Sequence, residues 1–562
     1  MKNIFHKLFF ITFLSLFIVG SCKKETSRTV FEEVTLEAGI QFKHMNGGRG
    51  EKILIETMGG GGAFLDYDND GDQDLFLVNS DSLPKLKFET RPQNGLYRNN
   101  GEGTYMDVTE MSGMLHTGYG MGVAVGDYDN DGFLDIFIAN FGPNRLFHNN
   151  GDGTFSEVTQ KAGVGDERWG TSAAFSDIES DGDLDLFVTN FLDLSLENPK
   201  VCFDKKRGIQ IYCGPLQHEG VSNLLYRNNG NGTFTDITKE AGVYNPEGKG
   251  LGVVFTDYDN DGDPDLYIAN DSVRNFLYRN EGNGVFTDVT FLSGTGYNED
   301  GRVQAGMGTD AGDYDNDGDF DLIVTNFSND VNTLYQNLGN ETFRDVSFSS
   351  GIGEPSYPYV GWGTNFFDYD SDGDQDLFVT NGHPLYALEE SIEEEPTAQR
   401  ALLFENYGEG SFAEVSLESG DYFHNVKVGR GSAVGDYDND GDVDLCVTNN
   451  NQEAILLRND GGNQNHWLLV KTIGAKSNRD GIGARITVTT GSHHQTKEVR
   501  SGTSYLCQND LRAHFGLGRL KKVDRIEIRW PSGKIDRYEN IKANQFLIAT
   551  EGKGIEVKKF AL

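Results

Sequence analysis

An acidic ten-residue string occurs seven times along this chain and constrains its fold more than any other feature. The first copy, at residues 66–75, reads DYDNDGDQDL, and near-identical copies begin at Asp127, Asp177, Asp257, Asp313, Asp368 and Asp436. Self-similarity of this kind is typical of repeat architectures in which each repeat is one supersecondary unit. A chain of 562 residues therefore need not be divided into several ordinary globular domains.

The spacing of the aspartates predicts a calcium-binding loop in each copy. Side-chain oxygens at positions 1, 3, 5 and 9, with the position 7 carbonyl and water, supply the oxygen ligands that Ca²⁺ prefers, and glycine at position 6 permits the turn. An EF-hand would need glutamate at position 12, where the first two loops have Leu77 and Ile138 within apolar runs. We therefore expect strand-to-strand loops that hold up to seven Ca²⁺ ions, with Mg²⁺ disfavoured.

Four side chains in each loop are the predicted metal ligands. They are Asp66, Asp68, Asp70 and Asp74; Asp127, Asp129, Asp131 and Asp135; Asp177, Glu179, Asp181 and Asp185; Asp257, Asp259, Asp261 and Asp265; Asp313, Asp315, Asp317 and Asp321; Asp368, Asp370, Asp372 and Asp376; and Asp436, Asp438, Asp440 and Asp444. In the third loop the longer side chain of Glu179 replaces the usual aspartate, so this site is expected to be distorted or weaker.

The segments around each loop predict short strands. Alternating runs such as Leu75–Val78 follow the loops, and Gly-rich turns of the type LYRNNGEGTYMDVT follow these runs. Four strands per repeat indicate the blade of a propeller. The string FEEVT at residues 31–35 precedes the first loop, whereas the last repeat has no fourth strand, so the N-terminal strand is expected to complete the last blade. The predicted fold is all-β: a seven-bladed β-propeller with calcium loops, followed by a small C-terminal β domain.

Charge and hydropathy divide the chain further. Residues 1–22 combine a basic start, a short apolar run and Gly-Ser before Cys22, which resembles the bacterial lipobox and predicts a lipoprotein signal peptide with lipidation at Cys22. An ordinary signal peptide with a chance cysteine is the alternative. The net charge is -39, yet residues 463–562 carry twice as many Lys and Arg as Asp and Glu. We therefore predict a propeller over 23–462, a β-sandwich or barrel over 463–552 that docks on the acidic propeller, and a tail over 553–562.

The repeats resemble FG-GAP/VCBS repeats, the blade type of integrin α-subunit heads. The last hundred residues resemble the ASPIC/UnbV domain through the strings SNRDGIGAR at 477–485, HFGLG at 514–518 and WPSG at 530–533. Together the two resemblances cover nearly the whole mature chain, and the combination is similar to bacterial members of the cartilage acidic protein family. The resemblance implies the propeller fold, calcium and an extracytoplasmic setting, but no agreed biochemical activity.

A ligand site is expected on the face opposite the calcium loops. Insertions at residues 80–93, 191–222 and 382–400 fall there, and insertions on one face of a repeat array often mark its binding side, although ornamental loops are the alternative. Alignment of the blades places Tyr119, Trp169, Lys249, Trp362 and Arg430 at the start of the inner strands, where they are expected to ring the channel mouth as a ligand-binding patch, or else to serve blade packing. Cys202 and Cys213 predict a disulfide within the longest insertion.

The resulting functional prediction is a binding module rather than an enzyme. The acidic charge disfavours nucleic acid, and no recognisable catalytic motif occurs. We expect a monomeric outer-membrane lipoprotein of the bacterial cell envelope, surface-exposed or periplasmic, that meets the membrane only through its anchor and binds a glycan or a protein partner. The alternatives are an enzyme acting on polysaccharide and a structural scaffold of an outer-membrane assembly.

Overall fold

The computed structural model describes residues 30–558 except 49, 82, 84–90, 116–117, 206–207, 385–396 and 409. The predicted signal peptide and Cys22 lie outside the described residues. Within them the protein is all-β, as predicted, with a few helical segments of one turn. The first thirty strands are β1 (Val30–Glu33), β2 (Gly62–Leu65), β3 (Asp74–Leu77), β4 (Gly95–Asn99), β5 (Tyr105–Asp107), β6 (Tyr119–Gly126), β7 (Asp135–Phe141), β8 (Arg145–Asn149), β9 (Phe155–Glu157), β10 (Gly170–Ser176), β11 (Asp185–Asn190), β12 (Cys202–Asp204), β13 (Ile209–Ile211), β14 (Leu224–Asn228), β15 (Phe234–Asp236), β16 (Gly250–Thr256), β17 (Asp265–Asn270), β18 (Phe276–Asn280), β19 (Phe286–Asp288), β20 (Thr309–Gly312), β21 (Asp321–Val324), β22 (Thr333–Asn337), β23 (Phe343–Asp345), β24 (Gly361–Phe367), β25 (Asp376–Asn381), β26 (Leu402–Asn406), β27 (Phe412–Glu414), β28 (Gly429–Gly435), β29 (Asp444–Asn449) and β30 (Ile455–Asp460).

These strands form seven four-stranded antiparallel sheets within the described part of the chain. The sheets are β2–β5, β6–β9, β10-β11-β14-β15, β16–β19, β20–β23, β24–β27 and β28-β29-β30-β1, and we call them blades 1 to 7 in that order. The innermost strand of each blade packs against that of the next, and β28 of blade 7 packs against β2 of blade 1, so the inner strands close a ring. The prediction of a propeller is thus confirmed.

The ring is held together because both faces of the two inner strands of each blade are buried. In β3, Leu75 and Leu77 pack into a cluster shared with Leu456 of blade 7, whereas Phe76 packs into a cluster shared with Val123 of blade 2. Alternation of side chains along a strand therefore gives each blade one apolar face for each neighbour.

The first and last strands of the propeller close the ring, as the sequence predicts. β1 pairs antiparallel with β30, with Phe31 opposite Asn459, and serves as the outer strand of blade 7. Phe31 is buried against Phe367, Tyr369 and Phe423, so the N-terminal strand also bridges to blade 6. The outer edge of blade 7 is thereby paired rather than left open to other chains.

The C-terminal residues form a second β domain with two four-stranded sheets. Its strands are β31 (His466–Ile473), β32 (Arg485–Thr490), β33 (His493–Glu498), β34 (Ala513–Gly518), β35 (Lys522–Arg529), β36 (Ile535–Lys542), β37 (Gln545–Thr550) and β38 (Gly554–Lys558). The sheet orders are β34-β31-β37-β38 and β33-β32-β35-β36. Apolar side chains from both sheets, including Val470, Ile486, Phe515 and Ile528, meet in one buried cluster.

Short helical turns follow the outer strands of several blades. The α-helical turns are α1 (Thr109–Ser112), α2 (Thr159–Ala162), α3 (Thr290–Ser293), α4 (Ser347–Ser350) and α5 (Gly353–Ser356), and the 3₁₀ turns are Leu54–Thr57, Pro215–Gln217, Ser416–Glu418, Asp421–His424 and Gly462–Gln464. In blade 1 the turn ends at Gly113, whose φ of 82° is the left-handed conformation that glycine adopts without strain.

Candidate metal-binding face

All seven acidic loops join the first and second strands of a blade, so they lie on one face of the disc. Their backbone explains the loop sequence. Position 4, which is Asn or Ser in every copy, has φ between 53° and 65°, and the glycine at position 6 has φ between 95° and 107°. Asn tolerates the left-handed region better than most residues, and glycine adopts it freely. The string D-x-D-N-D-G therefore curls the chain so that its carboxylates point inward.

Two carboxylates of each loop are buried. The aspartates at positions 1 and 9 are at most 5% exposed in all seven loops. The position 9 carboxylate always accepts a hydrogen bond from the backbone N–H of position 2, as Asp74 does from Tyr67 at 3.1 Å. In every loop except the fourth, the position 1 carboxylate accepts one from the position 6 glycine, as Asp368 does from Gly373 at 2.9 Å. Each loop thus places two anionic groups in a region of low dielectric.

Positions 3 and 5 complete the predicted ligand set at the more exposed side of the loops. Ligand atoms lie within 4.8 Å of one another in Asp66, Asp68 and Asp70; in Asp127, Asp129 and Asp135; in Asp257, Asp259 and Asp265; and in Asp313, Asp315 and Asp321. In the third loop the Glu179 carboxylate lies 3.8 Å from Arg227. The structure therefore brings the predicted residues together as clusters able to hold metal ions.

Buried carboxylate oxygens without partners support this fit. Asp257 Oδ1, Asp313 Oδ2 and Asp438 Oδ1 are buried and accept no hydrogen bond from any described residue. Burial, with repulsion from neighbouring carboxylates, raises the pKa of the position 9 aspartate well above its usual value in loops such as those of Asp265 and Asp321. A bound cation would remove both penalties, because unpaired buried charge is costly.

An asparagine that the sequence reasoning missed positions the buried aspartate. In blade 1 the backbone N–H of Asn99 donates to Asp74 Oδ1 at 2.8 Å, and its side chain donates to the carbonyl of Gln73 and, across the blade boundary, to that of Tyr437. The same contacts recur at Asn149, Asn228, Asn280, Asn337, Asn406 and Asn459. The sequence feature that could have revealed this role is the asparagine that ends the LYRN-type third strand of every blade.

A second set of asparagines links neighbouring loops. The position 4 side chain donates to position 6 or 7 of the next loop in five places: Asn69 to Gly132, Asn130 to Gly182, Asn260 to Asp319, Asn316 to Asp374 and Asn439 to Asp72. Loops 3 and 6 have Ser180 and Ser371 at this position, and no such link leaves them within the described residues. The loop face of the disc is thus a partly closed ring of hydrogen-bonded loops.

The C-terminal domain sits on this face, in agreement with the predicted docking. Its hydrogen-bonded pairs with the loops include Lys471 with Asp66, Asp480 with Asp127, Arg529 with Asp257, Arg485 with Gly318, Gly518 with Ser371 and Arg512 with Asp436. Four of the six residues that the C-terminal domain contributes to these pairs are Lys or Arg. Basic residues of the C-terminal domain therefore contact the acidic loops of the propeller.

A loop of the C-terminal domain enters the propeller channel. This plug loop, residues 499–512, joins β33 to β34. It contacts the inner strand of every blade: Gln508 with Gly62, Ser501 with Val125, Leu506 with Ser172, Arg500 with Thr256, Ser504 with Thr309 and Thr364, and Asp510 with Val434. The channel is therefore filled by the protein's own chain.

Three of the five predicted ligand-binding residues, Tyr119, Trp169 and Trp362, share a buried cluster with Tyr505 of the plug loop, whereas Lys249 Nζ donates to the carbonyl of Pro215. Tyr119, Trp169, Lys249, Trp362 and Arg430 are all at most 6% exposed. Trp362 packs against Tyr505 of the plug loop with ring centroids 4.9 Å apart, and Arg430 stacks on Trp362 and donates to the carbonyl of Thr57. The open mouth that a ligand role requires is absent at these residues, and their contacts correspond to the packing alternative.

The described residues of the insertions lie between the second and third strands of their blades, on the face opposite the loops. In blade 3, Cys202 and Cys213 form a disulfide with Cα atoms 5.3 Å apart, across the hairpin β12–β13. Gln210 of this hairpin accepts from Lys52 and donates to Glu51, so the insertion is tied to the segment that precedes blade 1. Among the described residues no helix is long and apolar enough to cross a membrane.

Comparison with known families agrees with this architecture. The family model described as FG-GAP-like repeat matches residues 66–138, 127–188, 211–268, 257–324 and 313–379, which together are more than half of the chain. This chain belongs to the FG-GAP repeat family. The model described as ASPIC and UnbV matches residues 474–556 of this FG-GAP repeat protein, within its C-terminal domain.

Among curated relatives, this FG-GAP repeat protein is similar to cartilage acidic protein 1. It is 28% identical over 310 residues to that protein from Mus musculus, which covers 53% of this chain and 44% of the relative, and 27% identical over 315 residues to that from Xenopus tropicalis, which covers 54% and 44%. The chain thus spans less than half the length of these relatives.

Among solved structures, three are similar to this FG-GAP repeat protein only remotely. A lectin from Agrocybe aegerita that recognises non-reducing terminal N-acetylglucosamine has a TM-score of 0.39 and 16% identity, and covers 66% of this chain and 82% of its own. The rhamnogalacturonan lyase YesW has a TM-score of 0.36 and 13% identity, with coverage of 71% and 71%. YCF48 bound to D1 peptide has a TM-score of 0.39 and 9% identity, with coverage of 72% and 91%.

Proposed function

We propose that this FG-GAP repeat protein is a calcium-binding propeller of the bacterial cell envelope that binds a glycan or protein partner and is anchored to the outer membrane through a lipid on Cys22. The observation that carries the calcium assignment is the pair of buried carboxylates in each loop. Oxygen-only donors at positions 1, 3, 5 and 9 are the ligands of a hard cation, and Ca²⁺ takes six to eight of them. The chemistry that the ion supplies is structural: it neutralises buried charge and fixes the loops.

The surface left for a partner is the face that carries the insertions. The C-terminal domain covers the loop face, and the plug loop fills the channel. The blade 3 insertion exposes three apolar side chains, Val201, Phe203 and Leu216, which are 55%, 58% and 74% exposed. Phe203 lies within the disulfide-closed hairpin, and Val201 and Leu216 flank it. Exposed apolar side chains held on and beside a closed hairpin form a contact surface of the kind that binding modules use.

The enzyme alternative needs a pair of accessible carboxylates with raised pKa around one cavity. In the described part of the chain, raised pKa values occur mainly in the acidic loops. On the insertion side, burial also raises the pKa of Glu56 and raises that of Asp271 to about 6, and these carboxylates accept hydrogen bonds from Tyr212 and Ser272. At the domain junction, burial raises the pKa of Asp310 and Asp510. Both of these groups already accept hydrogen bonds, from Thr503 and Arg512. These contacts favour binding and structural roles for the carboxylates.

Two measurements test the proposal. Metal content of the purified full chain, with melting in calcium and in chelator, tests the calcium assignment; absence of bound calcium together with an unchanged melting temperature would refute it. Binding to arrayed glycans and to envelope proteins, compared between wild type and Phe203→Ser/Leu216→Ser, tests the surface. Leu520→Ser is the matched control, since Leu520 is 49% exposed on the C-terminal domain. Loss of binding in the double variant but not in the control supports the insertion face.

A further inference from the structure

One residue next to each acidic loop differs between blades. It precedes the asparagine that ends the third strand, and it is Arg98, His148, Arg227, Arg279, Gln336, Glu405 and Arg458 in blades 1 to 7. In blades 2, 3 and 5 its side chain contacts the loop of its own blade, whereas Arg279 and Arg458 pair with carboxylates outside the loops. In blade 5, Gln336 Nε2 donates to Asp315 Oδ2 at position 3 over 2.8 Å, and in blade 3 Arg227 lies 3.8 Å from Glu179 at the same position.

His148 reaches further into its loop than these side chains do. Its Nδ1 atom lies 3.3 Å from Asp129 Oδ2 and 3.3 Å from Asp135 Oδ1, and its Nε2 atom lies 4.0 Å from Asp131 Oδ2. Asp135 is fully buried. The Nδ1 atom is itself buried, and its closest contacts are these two carboxylates at ion-pair distance. A ring nitrogen therefore lies between two predicted metal ligands.

The spacing of these atoms fits the coordination of a small divalent ion. Transition-metal ions bind imidazole and carboxylate at about 2.0–2.2 Å, so adjacent ligand atoms lie roughly 3.0–3.5 Å apart. The 3.3 Å separations of His148 Nδ1 from Asp129 and Asp135 fall in this range. Ligand atoms of Asp129, Asp131 and His148, and of Asp127, Asp129 and Asp135, lie within 4.8 Å of one another.

Donor chemistry separates this loop from the other six. Arg has no lone pair to offer a cation, whereas Gln and Glu offer oxygen, which suits Ca²⁺. Neutral imidazole suits zinc and other late first-row metals. Among the seven blades, blade 2 is thus the one whose third-strand residue, His148, offers a nitrogen lone pair that can coordinate a metal ion.

We infer that loop 2 is a mixed nitrogen and oxygen site that binds one divalent transition-metal ion of the zinc class through His148, Asp127, Asp129 and Asp135. The other six loops have oxygen donors and bind calcium. This inference rests on the proposed function, because it takes the acidic loops to be metal sites.

Metal competition on the full chain tests the inference. Wild type, His148→Arg and His148→Gln are equilibrated with Zn²⁺ in a large excess of Ca²⁺, and bound metals are counted by mass spectrometry; Co²⁺ replaces Zn²⁺ in a parallel titration read by visible absorption. Arg and Gln are the residues that other blades carry here, so both variants are expected to fold. We expect one Zn²⁺ per wild-type chain and a Zn²⁺ affinity about 100-fold lower or more in both variants, with calcium bound in each.

A transplanted histidine provides the matched control. Gln336→His places the same ring opposite Asp315 in blade 5 and is expected to add a second Zn²⁺ per chain, with a second increment of Co²⁺ absorption. Wild type that binds calcium but no Zn²⁺, or His148→Arg that keeps wild-type Zn²⁺ affinity, overturns the inference and leaves the proposed calcium role standing. A chain that binds neither metal overturns both.

Discussion

The phenol of Tyr505 donates a 2.8 Å hydrogen bond to the carbonyl oxygen of Met58. Tyr505 belongs to the C-terminal domain on the loop face, whereas Met58 lies at the start of blade 1, at the opposite end of the channel. The plug loop therefore spans the propeller and fixes the segment that precedes its first inner strand. Ser504 and Leu506 flank Tyr505 with φ of 63° and 62°, a conformation that only strong surrounding contacts maintain.

Truncation of Tyr505 is expected to destabilise the whole protein. Tyr505→Ala removes a fully buried ring and should lower the free energy of unfolding by about 3–5 kcal/mol, whereas Tyr505→Phe, which loses one hydrogen bond, should cost about 1 kcal/mol. Denaturant unfolding in calcium measures both. Tyr357→Ala is the control, because Tyr357 is 48% exposed. Equal effects of Tyr505→Ala and Tyr357→Ala would contradict the role of the plug.

Arg512 is the buried cation of the domain junction. It donates to Asp510, to Asn439 of loop 7 and to the carbonyl of Asp436. Lysine lacks the fork of donors needed for these three contacts, so Arg512→Lys should cost about 2–4 kcal/mol. The exposed Arg525→Lys variant of the same domain should stay within about 0.5 kcal/mol of wild type. Unfolding curves of the two variants that coincide would show that the junction does not depend on this residue.

Asp257 gives a test in which the sign of the effect depends on calcium. Asp257→Asn keeps an oxygen for Arg529 but removes the buried charge, whose Oδ1 atom accepts no hydrogen bond from the described residues. In excess calcium we expect a loss of about 1–3 kcal/mol and of one bound ion. In chelator the difference should vanish or reverse, because Asp257 Oδ1 then has no partner and Arg529 alone balances the charge of Asp257 among the other carboxylates of its loop.

The matched control for Asp257→Asn lies in a blade 2 turn. Asp152→Asn should be neutral in both conditions, since Asn231 makes the same contact with Thr233 in blade 3 that Asp152 makes with Thr154. A loss at Asp257→Asn that is equal in calcium and in chelator would mean that this carboxylate does not bind the ion.

The sequence predicts the repeated features of this structure well, but it does not predict contacts that occur only once between residues far apart in the chain. Asp66 and Asp74 could be predicted as members of an acidic loop because the same spacing occurs seven times. Strand β1 could be predicted as the outer strand of blade 7 because FEEVT matches the outer strand of every other blade. Tyr505 carries no such signal, since its partner Met58 lies 447 residues away. The prediction that Trp362 lines an open channel mouth fails for the same reason. The sequence near Trp362 gives no sign that a loop of the C-terminal domain fills the channel.

His44 makes stability depend on pH. Its Nδ1 atom accepts from the backbone N–H of Asn451 at 3.1 Å, so Nε2 carries the proton and faces Ser80 Oγ at 3.2 Å. Burial, with repulsion from Arg430, lowers the pKa of His44 to about 3. An unfolded chain takes up this proton near pH 6.5. Below that pH the unfolded state binds more protons, so the stabilisation present above about pH 6.5 is lost as pH falls toward about 3.

His44→Asn tests this dependence because it keeps an acceptor for Asn451 and does not titrate. It should be less stable than wild type at pH 7, and its deficit should shrink by up to about 1.4 kcal/mol per pH unit below pH 6. Denaturant unfolding in saturating calcium at several pH values measures the difference. His424→Asn, at an exposed site, is the control for the substitution. A deficit independent of pH would show that His44 is not held neutral.

Ser180 marks a missing link between loops 3 and 4, and its replacement should restore that link. Ser180 is exposed and has a φ of 53°, a conformation that asparagine tolerates better than serine. In Ser180→Asn the new amide is expected to donate to Asp263, as Asn260 donates to Asp319 in the next pair of loops. The free energy of unfolding in calcium is expected to rise by about 0.5–1 kcal/mol.

Ser371→Asn is the contrasting variant. Ser371 is fully buried beneath Gly516, so the larger side chain should lower the free energy of unfolding by about 1–3 kcal/mol. If both variants change stability equally, loop-to-loop hydrogen bonding is not what the position 4 asparagines contribute.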